Sequence, residues 1–149
     1  MIFLAVLLVA TAAAAVVLRG SGDRRLIARW GFAVALAVAG ATHLVNPTPF
    51  EQHLPDWVPA ATALVMATGL LEIGLGAVLV LPRLPTRLIG RVVAAYLVAV
   101  LPANVYVAVA DVDVEGQPGG IYPWFRLPLQ VFFIAWALWS TAGAGSAVD

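Results

Sequence analysis

Long apolar stretches alternate with short polar stretches along the whole chain. Five of them have about the length that a helix needs to cross a bilayer, roughly 20 residues, and they cover about residues 1–18, 29–46, 60–81, 88–110 and 124–141. Backbone groups in lipid must form their hydrogen bonds within their own segment, so these stretches predict helices. We therefore predict an all-α fold, a polytopic transmembrane helix bundle that forms a single membrane domain over residues 1–149.

The composition also favours a membrane location. Hydrophobic residues make up 62% of the chain and charged residues 11%, against about 45–50% and about 25% in soluble domains. One short chain cannot bury so much apolar surface, so the lipid bilayer must solvate part of it. The net charge of zero predicts no nucleic-acid partner.

The chain contains no cysteine. Disulfides, thiol nucleophiles, iron–sulfur clusters and cysteine-bound zinc are therefore excluded, and a redox role would need a bound cofactor or a partner protein. The sequence also lacks a phosphate-binding glycine loop, a serine–histidine–aspartate arrangement and a His-x-x-x-His zinc pair. We predict no metal site and no covalently attached cofactor, and the sequence identifies no catalytic residue.

Charged residues between the apolar stretches predict the orientation. Seven arginines lie in the connections between the first and second and between the third and fourth stretches, or within the first four residues of the stretch that follows: Arg19, Arg24, Arg25, Arg29, Arg83, Arg87 and Arg91. The other two connections carry the acidic residues Glu51, Asp56, Asp111, Asp113 and Glu115. The positive-inside rule then places the N-terminus outside and the C-terminus in the cytoplasm. The alanine- and valine-rich, lysine-free usage suggests a high-GC bacterium, which makes the bacterial cytoplasmic membrane the expected location.

The first apolar stretch resembles a signal peptide in one respect, an alanine run within residues 1–15. The basic residues that usually precede the apolar part of a signal peptide are missing, and the arginines follow it instead. We therefore predict an uncleaved helix.

Two connections on the outer side differ in character. Residues 43–59 contain four prolines, which prevent one regular helix, and Phe50 and Trp57 predict an interfacial position. Residues 111–123 are acidic and glycine-rich, which predicts an exposed turn. Four aromatic residues at the two ends of the last stretch predict interface anchors: Trp124, Phe125, Trp136 and Trp139.

Glu72 is the clearest polar residue inside a predicted span. It lies about 18 Å along its helix, near the bilayer midplane. Gly69 and Gly76 share its helix face, and small residues mark faces where helices approach closely. Glu72 is therefore expected to face another helix, either as a carboxylate that handles protons or binds a ligand, or as a buried acid that hydrogen-bonds between helices.

Two more polar residues lie in the outer half of the predicted bundle. His43 is expected to hydrogen-bond in a cavity or at the interface, because a single histidine is weak evidence for a metal or haem. Asn104 follows Pro102, which cannot donate to the carbonyl of Val98 and predicts a kink. Asn104 either bonds between helices or contacts a ligand.

Arg126 and Gln130 lie one turn apart at the outer start of the last helix and so share a face. Arg126 is either a counter-ion for the acidic loops or for an anionic ligand, or an interfacial arginine that extends to the lipid head groups. The hypothesis is a pocket that opens outward or into the outer leaflet, formed by His43, Asn104, Arg126 and Gln130, with Glu72 as its floor.

Three sequence blocks resemble the DoxX-like membrane proteins: THLVNPTPF, GLLEIGLGAVLVLPR and LPANVYVA. The resemblance extends from Trp30 to about Ser140 and implies a four-helix membrane core, to which the first helix is an N-terminal addition. It also implies membrane redox chemistry, either thiosulfate oxidation with quinone as acceptor or oxidative-stress complexes with soluble partners. A more distant likeness links this core to sterol-isomerase-type bundles. His43, Glu72, Pro102 and Asn104 match recurrent positions of the family.

The leading hypothesis is a DoxX-like protein that binds a lipophilic, quinone-like molecule as a subunit or partner of a membrane redox system. In this hypothesis Glu72 and His43 bind or relay protons, while Asn104 and Gln130 orient polar groups. A redox protein partner and a homo-oligomer are both compatible with it. Two alternatives stay open: a stand-alone membrane enzyme of isomerase or cyclase type on a lipophilic substrate, and a non-catalytic scaffold or assembly factor.

Overall fold

The computed structural model describes residues 2–81 and 84–142. Within these ranges the protein is all-helical and contains no strand, which confirms the all-α part of the predicted fold class. The six helices are α1 (Ile2–Val17), α2 (Arg24–Val45), α3 (Thr48–Glu51), α4 (Ala61–Val80), α5 (Thr86–Val109) and α6 (Tyr122–Thr141). Arg83, which the orientation argument used, lies outside the described residues.

The five long helices coincide with the five apolar stretches, with one clear difference at the start of α2. This helix begins at Arg24 and not near residue 29. The Asp23 carboxylate caps it by accepting the backbone N–H groups of Arg25 and Leu26 at 2.9 and 3.1 Å. Arg24, Arg25 and Arg29 therefore lie on the first turns of the helix and not in the connection, because capping and not hydrophobicity determines where the helix begins.

Three helices, α2, α4 and α5, are long and apolar enough to cross a membrane, which indicates a membrane protein. The 16 residues of α1 extend about 24 Å, less than the roughly 30 Å of a hydrocarbon core. The 20 residues of α6 are rich in aromatic residues and contain Pro123 and Pro128. Membrane crossing by α1 and α6 stays a prediction.

Helix α2 lies at the centre of the packing. It contacts α1 and α4 extensively and α6 less, whereas α5 packs mainly on α6 and only sparsely on α4. Phe32 and Leu36 of α2 are fully buried beside Val93 of α5 and Phe133 of α6. The helices therefore pack as one group of α1, α2 and α4 and a second group of α5 and α6, and the two groups share an apolar core.

The aromatic residues of α6 only partly follow the prediction of interface anchors. Trp124, Phe125 and Trp139 are about half exposed, as side chains that face lipid or the interface would be. Trp136 is instead half buried, and its indole N–H donates to the Ala28 carbonyl at 3.2 Å. Trp136 thus connects α6 to α2.

Glycine allows α2 and α4 to cross closely. A Cβ added to Gly69 would lie 2.7 Å from the Cβ of His43 and 2.8 Å from the Gly40 carbonyl oxygen. A Cβ on Gly40 would collide with the Gly69 carbonyl, and one on Gly76 would lie 2.7 Å from the Ala33 carbonyl. The predicted small-residue face of α4 is therefore the face that packs on α2.

The crossing predicts opposite effects for two alanine substitutions in α4. Gly69→Ala should destabilise the protein by roughly 1–3 kcal/mol through overpacking, which corresponds to several degrees in melting temperature. Gly74→Ala is the matched control, because no atom lies within 4 Å of an added Cβ there and alanine favours the helix. Thermal unfolding in detergent measures both. Equal melting temperatures for the two variants would contradict the close crossing.

Candidate functional site

Glu72 of α4 is buried, with 8% of its surface exposed, and faces α5. The Tyr96 hydroxyl donates to Glu72 Oε1 at 2.8 Å. The second carboxylate oxygen, Oε2, is buried and has no hydrogen-bond partner among the described residues. It lies 4.0 Å from Nδ1 of His43. The carboxyl group thus has one satisfied oxygen and one that lacks a donor in a buried position.

His43 reaches this carboxyl group from α2, across the close crossing at Gly40 and Gly69. Its Nδ1 lies 3.3 Å from the Thr68 hydroxyl, and that hydroxyl donates to the Val65 carbonyl at 2.8 Å. The Thr68 oxygen therefore accepts a hydrogen bond from the Nδ1–H group of His43, because the hydroxyl hydrogen is already donated to Val65. The ring centroids of Phe50 and His43 are 3.8 Å apart, so Phe50 contacts the imidazole instead of serving only as an interface anchor.

Three helices thus bring His43, Glu72 and Tyr96 together in what we call the buried cluster. All three side chains can hold a proton that they exchange with a neighbour or a ligand. An unpartnered acceptor in a buried site has a large desolvation cost, which a protonated carboxyl or a hydrogen-bonding ligand would remove. No group of three or more potential metal ligands occurs in residues 2–81 and 84–142.

Asn104 and Gln130 form a separate pair between α5 and α6. The Asn104 amide donates to Gln130 Oε1 at 3.4 Å, and the Gln130 amide donates to the Leu97 carbonyl at 2.8 Å. Gln130 is 7% exposed, so this amide is a buried cross-link. Leu97, which accepts this bond, precedes Val98, and the Val98 carbonyl is the one that was expected to lack a helix donor because of Pro102. The geometry matches the helix-bonding interpretation of Asn104.

Arg126, near the start of α6, lies in a third group with a residue that the sequence reasoning missed. Its Nη1 donates to Nε2 of His53 at 2.6 Å and to Oε1 of Gln117 at 2.6 Å. His53 is 6% exposed, and its Nδ1 donates to the Pro49 carbonyl at 2.7 Å. No carboxylate of the described residues is within salt-bridge distance of Arg126, so its recorded partners are neutral.

We call this arrangement the clasp. It consists of Gln52 and His53 of the 46–60 segment, Arg126 of α6, and Glu115 and Gln117 of the loop after α5. The Glu115 backbone N–H donates to Gln52 Oε1 at 2.7 Å. The loop after α5 is therefore not simply an exposed turn, because it packs against the 46–60 segment and buries Val114. Burial, and then the positive charge of Arg126, lower the pKa of His53 to about 4.

The five predicted residues thus lie in three groups that no recorded hydrogen bond connects: His43 with Glu72, Asn104 with Gln130, and Arg126 in the clasp. Tyr96 and His53 were missed. A signal for Tyr96 existed, because it lies near the middle of its span as Glu72 does, where a buried hydroxyl needs a partner. A signal for His53 was the lone outer arginine, which required a partner on that side.

One surface concavity lies away from the buried cluster. It has a volume of about 640 Å³ and is lined by side chains of α5 between Val98 and Ala110, including Pro102. These side chains are almost entirely apolar, and they lie on the side of α5 opposite to Tyr96, as the 100° rotation per residue of a helix requires. The concavity thus contains none of the chemistry of the buried cluster.

The model of a family described as a domain of unknown function (DUF8561) matches residues 32–141. The match includes α3, α4, α5, α6 and most of α2, and it excludes α1. No curated protein and no solved structure shows a significant match to the chain.

His53 predicts a loss of stability at low pH. The unfolded chain binds a proton at His53 below about pH 6.5, whereas the low pKa delays this in the folded chain until about pH 4. The contribution of His53 to the free energy of unfolding is therefore complete above pH 6.5 and is lost as the pH falls toward 4. This loss has an upper limit of about 3 kcal/mol. When the pH is lowered from neutral to acidic, the melting temperature in detergent should fall further in the parent protein than in His53→Gln. Equal falls would contradict a buried neutral His53.

Proposed function

Since the chain belongs to the DUF8561 family, whose description leaves the function open, we propose a function from the geometry of its buried polar groups. The protein binds a lipophilic, quinone-like molecule at the buried cluster of His43, Glu72 and Tyr96. It acts as a subunit or partner of a membrane redox system.

The observation that carries this proposal is the divided environment of the Glu72 carboxyl group. Oε1 accepts from Tyr96, which fixes the orientation of the group, while Oε2 is buried without a donor. A carboxyl group that served only to bond two helices would be expected to satisfy both oxygens. The free oxygen instead supports a role in which Glu72 bonds to something that comes and goes, either a proton or a ligand.

The residues of the buried cluster fit a quinone-like ligand. A quinone supplies carbonyl oxygens on an apolar ring, and its reduction takes up protons. Protonated Glu72 would donate through Oε2 to such a carbonyl, while Tyr96 holds the carboxyl group in place. His43 lies 4.0 Å from the same oxygen and would exchange protons with it after a small side-chain movement.

Entry is proposed at the seam between α4 and α5. These two helices are consecutive, yet they make few contacts, and the bond from Tyr96 to Glu72 crosses the seam. Exposed apolar side chains lie close in sequence to both ends of this bond, among them Leu71 next to Glu72 and Val92 one turn before Tyr96. A lipophilic molecule in the bilayer would therefore reach the buried cluster sideways with little repacking.

The resemblance to DoxX-like proteins belongs to the same proposal. In it α2, α4, α5 and α6 form a four-helix DoxX-like core, α1 is an additional N-terminal helix, and all five cross the membrane. The protein is proposed to lie in the bacterial cytoplasmic membrane with its N-terminus outside and its C-terminus in the cytoplasm. A redox protein partner, with or without a homo-oligomer, would then supply or remove electrons, because the chain has no cysteine.

Glu72→Leu tests the proposal. Leucine is of similar size but can neither donate nor accept a hydrogen bond, so it should abolish or strongly reduce the amount of bound quinone. Native mass spectrometry of protein extracted gently from its own membrane measures the bound molecule. Glu115→Leu is the matched control, since it makes the same chemical change on an exposed residue, and it should leave the bound molecule unchanged.

Other outcomes separate the alternatives. Unchanged quinone binding in Glu72→Leu would contradict a quinone site at the buried cluster. Turnover of a lipophilic substrate by the purified protein without an electron partner would favour the isomerase or cyclase alternative. Copurifying subunits without any small molecule, retained in Glu72→Ala and His43→Ala, would favour a scaffold.

A further inference from the structure

The segment from Asn46 to Ala60 lies over the outer end of the buried cluster. It connects α2 to α4 and contains the short helix α3, which contacts α4 only lightly. Phe50 of this segment places its ring 3.8 Å from the His43 ring, centroid to centroid. The Phe50 ring therefore separates His43 from the outer side of the bundle.

The segment is internally rigid. Its turns are closed by local backbone bonds, including Phe50 N–H to the Pro47 carbonyl, Leu54 N–H to Glu51 and Val58 N–H to Pro55, at 2.8 to 2.9 Å. Four prolines fix further backbone angles. A segment of this kind moves as one piece, because bending it would break several short bonds at once.

Both ends of the segment are sharp changes of backbone direction. Asn46 ends α2 with φ −141° and ψ 83°. Ala60 precedes α4 with φ 53° and ψ 43°, in the left-handed region. A residue with a Cβ is strained there, because the Cβ crowds the backbone. The closed position is therefore held against backbone strain at one end, which requires compensating contacts elsewhere.

Those compensating contacts are in the clasp, where His53 stacks on the Phe50 ring that contacts His43. His53 accepts from Arg126, and Gln52 accepts from the Glu115 backbone, so the segment is bonded to α6 and to the loop before it. Gln117 accepts from the same Arg126 nitrogen. Arg126 thus bonds to both the segment and the loop, and its removal would break these two bonds while the bond from Glu115 to Gln52 remains.

We propose that the segment from Asn46 to Ala60 is a hinged cover that controls access of water and protons to His43 and Glu72, and that the bond between His53 and Arg126 keeps it closed. This inference goes beyond the proposed function, because it holds for any ligand of the buried cluster. Closure excludes water from Glu72, and opening connects Glu72 with the outer aqueous side.

A cysteine reporter tests the cover. The chain has no cysteine of its own, so Thr68→Cys places one thiol beside His43, and a charged methanethiosulfonate reagent reaches it only through water. In the otherwise unchanged protein this thiol should react slowly. Adding Arg126→Gln should raise its labelling rate by about tenfold or more, since a hydrogen bond from a charged group is lost. Arg91→Gln, on an exposed residue of α5, is the matched control and should not change the rate.

Two further variants keep the result interpretable. Gly119→Cys lies in open space on the outer loop and serves as the reference thiol for every labelling rate. His53→Glu, with Arg126 retained, replaces a neutral acceptor by a carboxylate and should slow labelling of Thr68→Cys further, which general unfolding cannot do. An unchanged rate in Arg126→Gln, or a faster rate in His53→Glu, would overturn the proposal. Neither outcome depends on quinone binding.

Discussion

The close crossing of α2 and α4 positions the polar groups in the centre of the protein. Gly40 and Gly69 allow the two backbones to approach until a Cβ on either would collide with the other helix. In lipid, such packing replaces the hydrophobic effect as the source of helix association. The same crossing brings His43 to within 4.0 Å of Glu72. Any residue larger than glycine at these positions would separate the imidazole from the carboxyl group as well as the helices.

Packing density differs between the two neighbours of α4, and the difference affects the environment of Glu72. α2 and α4 are tightly packed, whereas α4 and α5 touch sparsely, yet the Glu72 carboxyl group is bonded to the α5 side. Tyr96 therefore holds a polar contact where apolar packing is thin. The buried cluster is therefore tightly packed on its α2 side and loosely packed on its α5 side. This arrangement suits a group that exchanges hydrogen-bond partners without disturbing the fold.

Apolar length and small-residue spacing sufficed to predict the all-helical class, the five long helices and the side of α4 that meets α2. The start of α2 was wrong because Asp23 extends the helix through polar residues that a hydropathy argument assigns to a loop. Glu72 with His43, and Asn104 with Gln130, were predicted as interior polar residues, but their separation into different groups depends on helix rotation, which one sequence does not encode locally. Tyr96 and His53 were missed because their partners are distant in sequence, on other elements.

The sparse seam between α4 and α5 has a consequence for biogenesis. Helices leave the ribosome in chain order, so α1, α2 and α4 can associate before α5 is available. During that interval α2 already packs beside Glu72, but the carboxyl group lacks the hydrogen bond that Tyr96 of α5 donates. A charged Glu72 would then oppose release into the bilayer. Release of α4 into the bilayer and its contact with α5 are thereby linked, because the arrival of Tyr96 gives the Glu72 carboxyl group its hydrogen-bond donor.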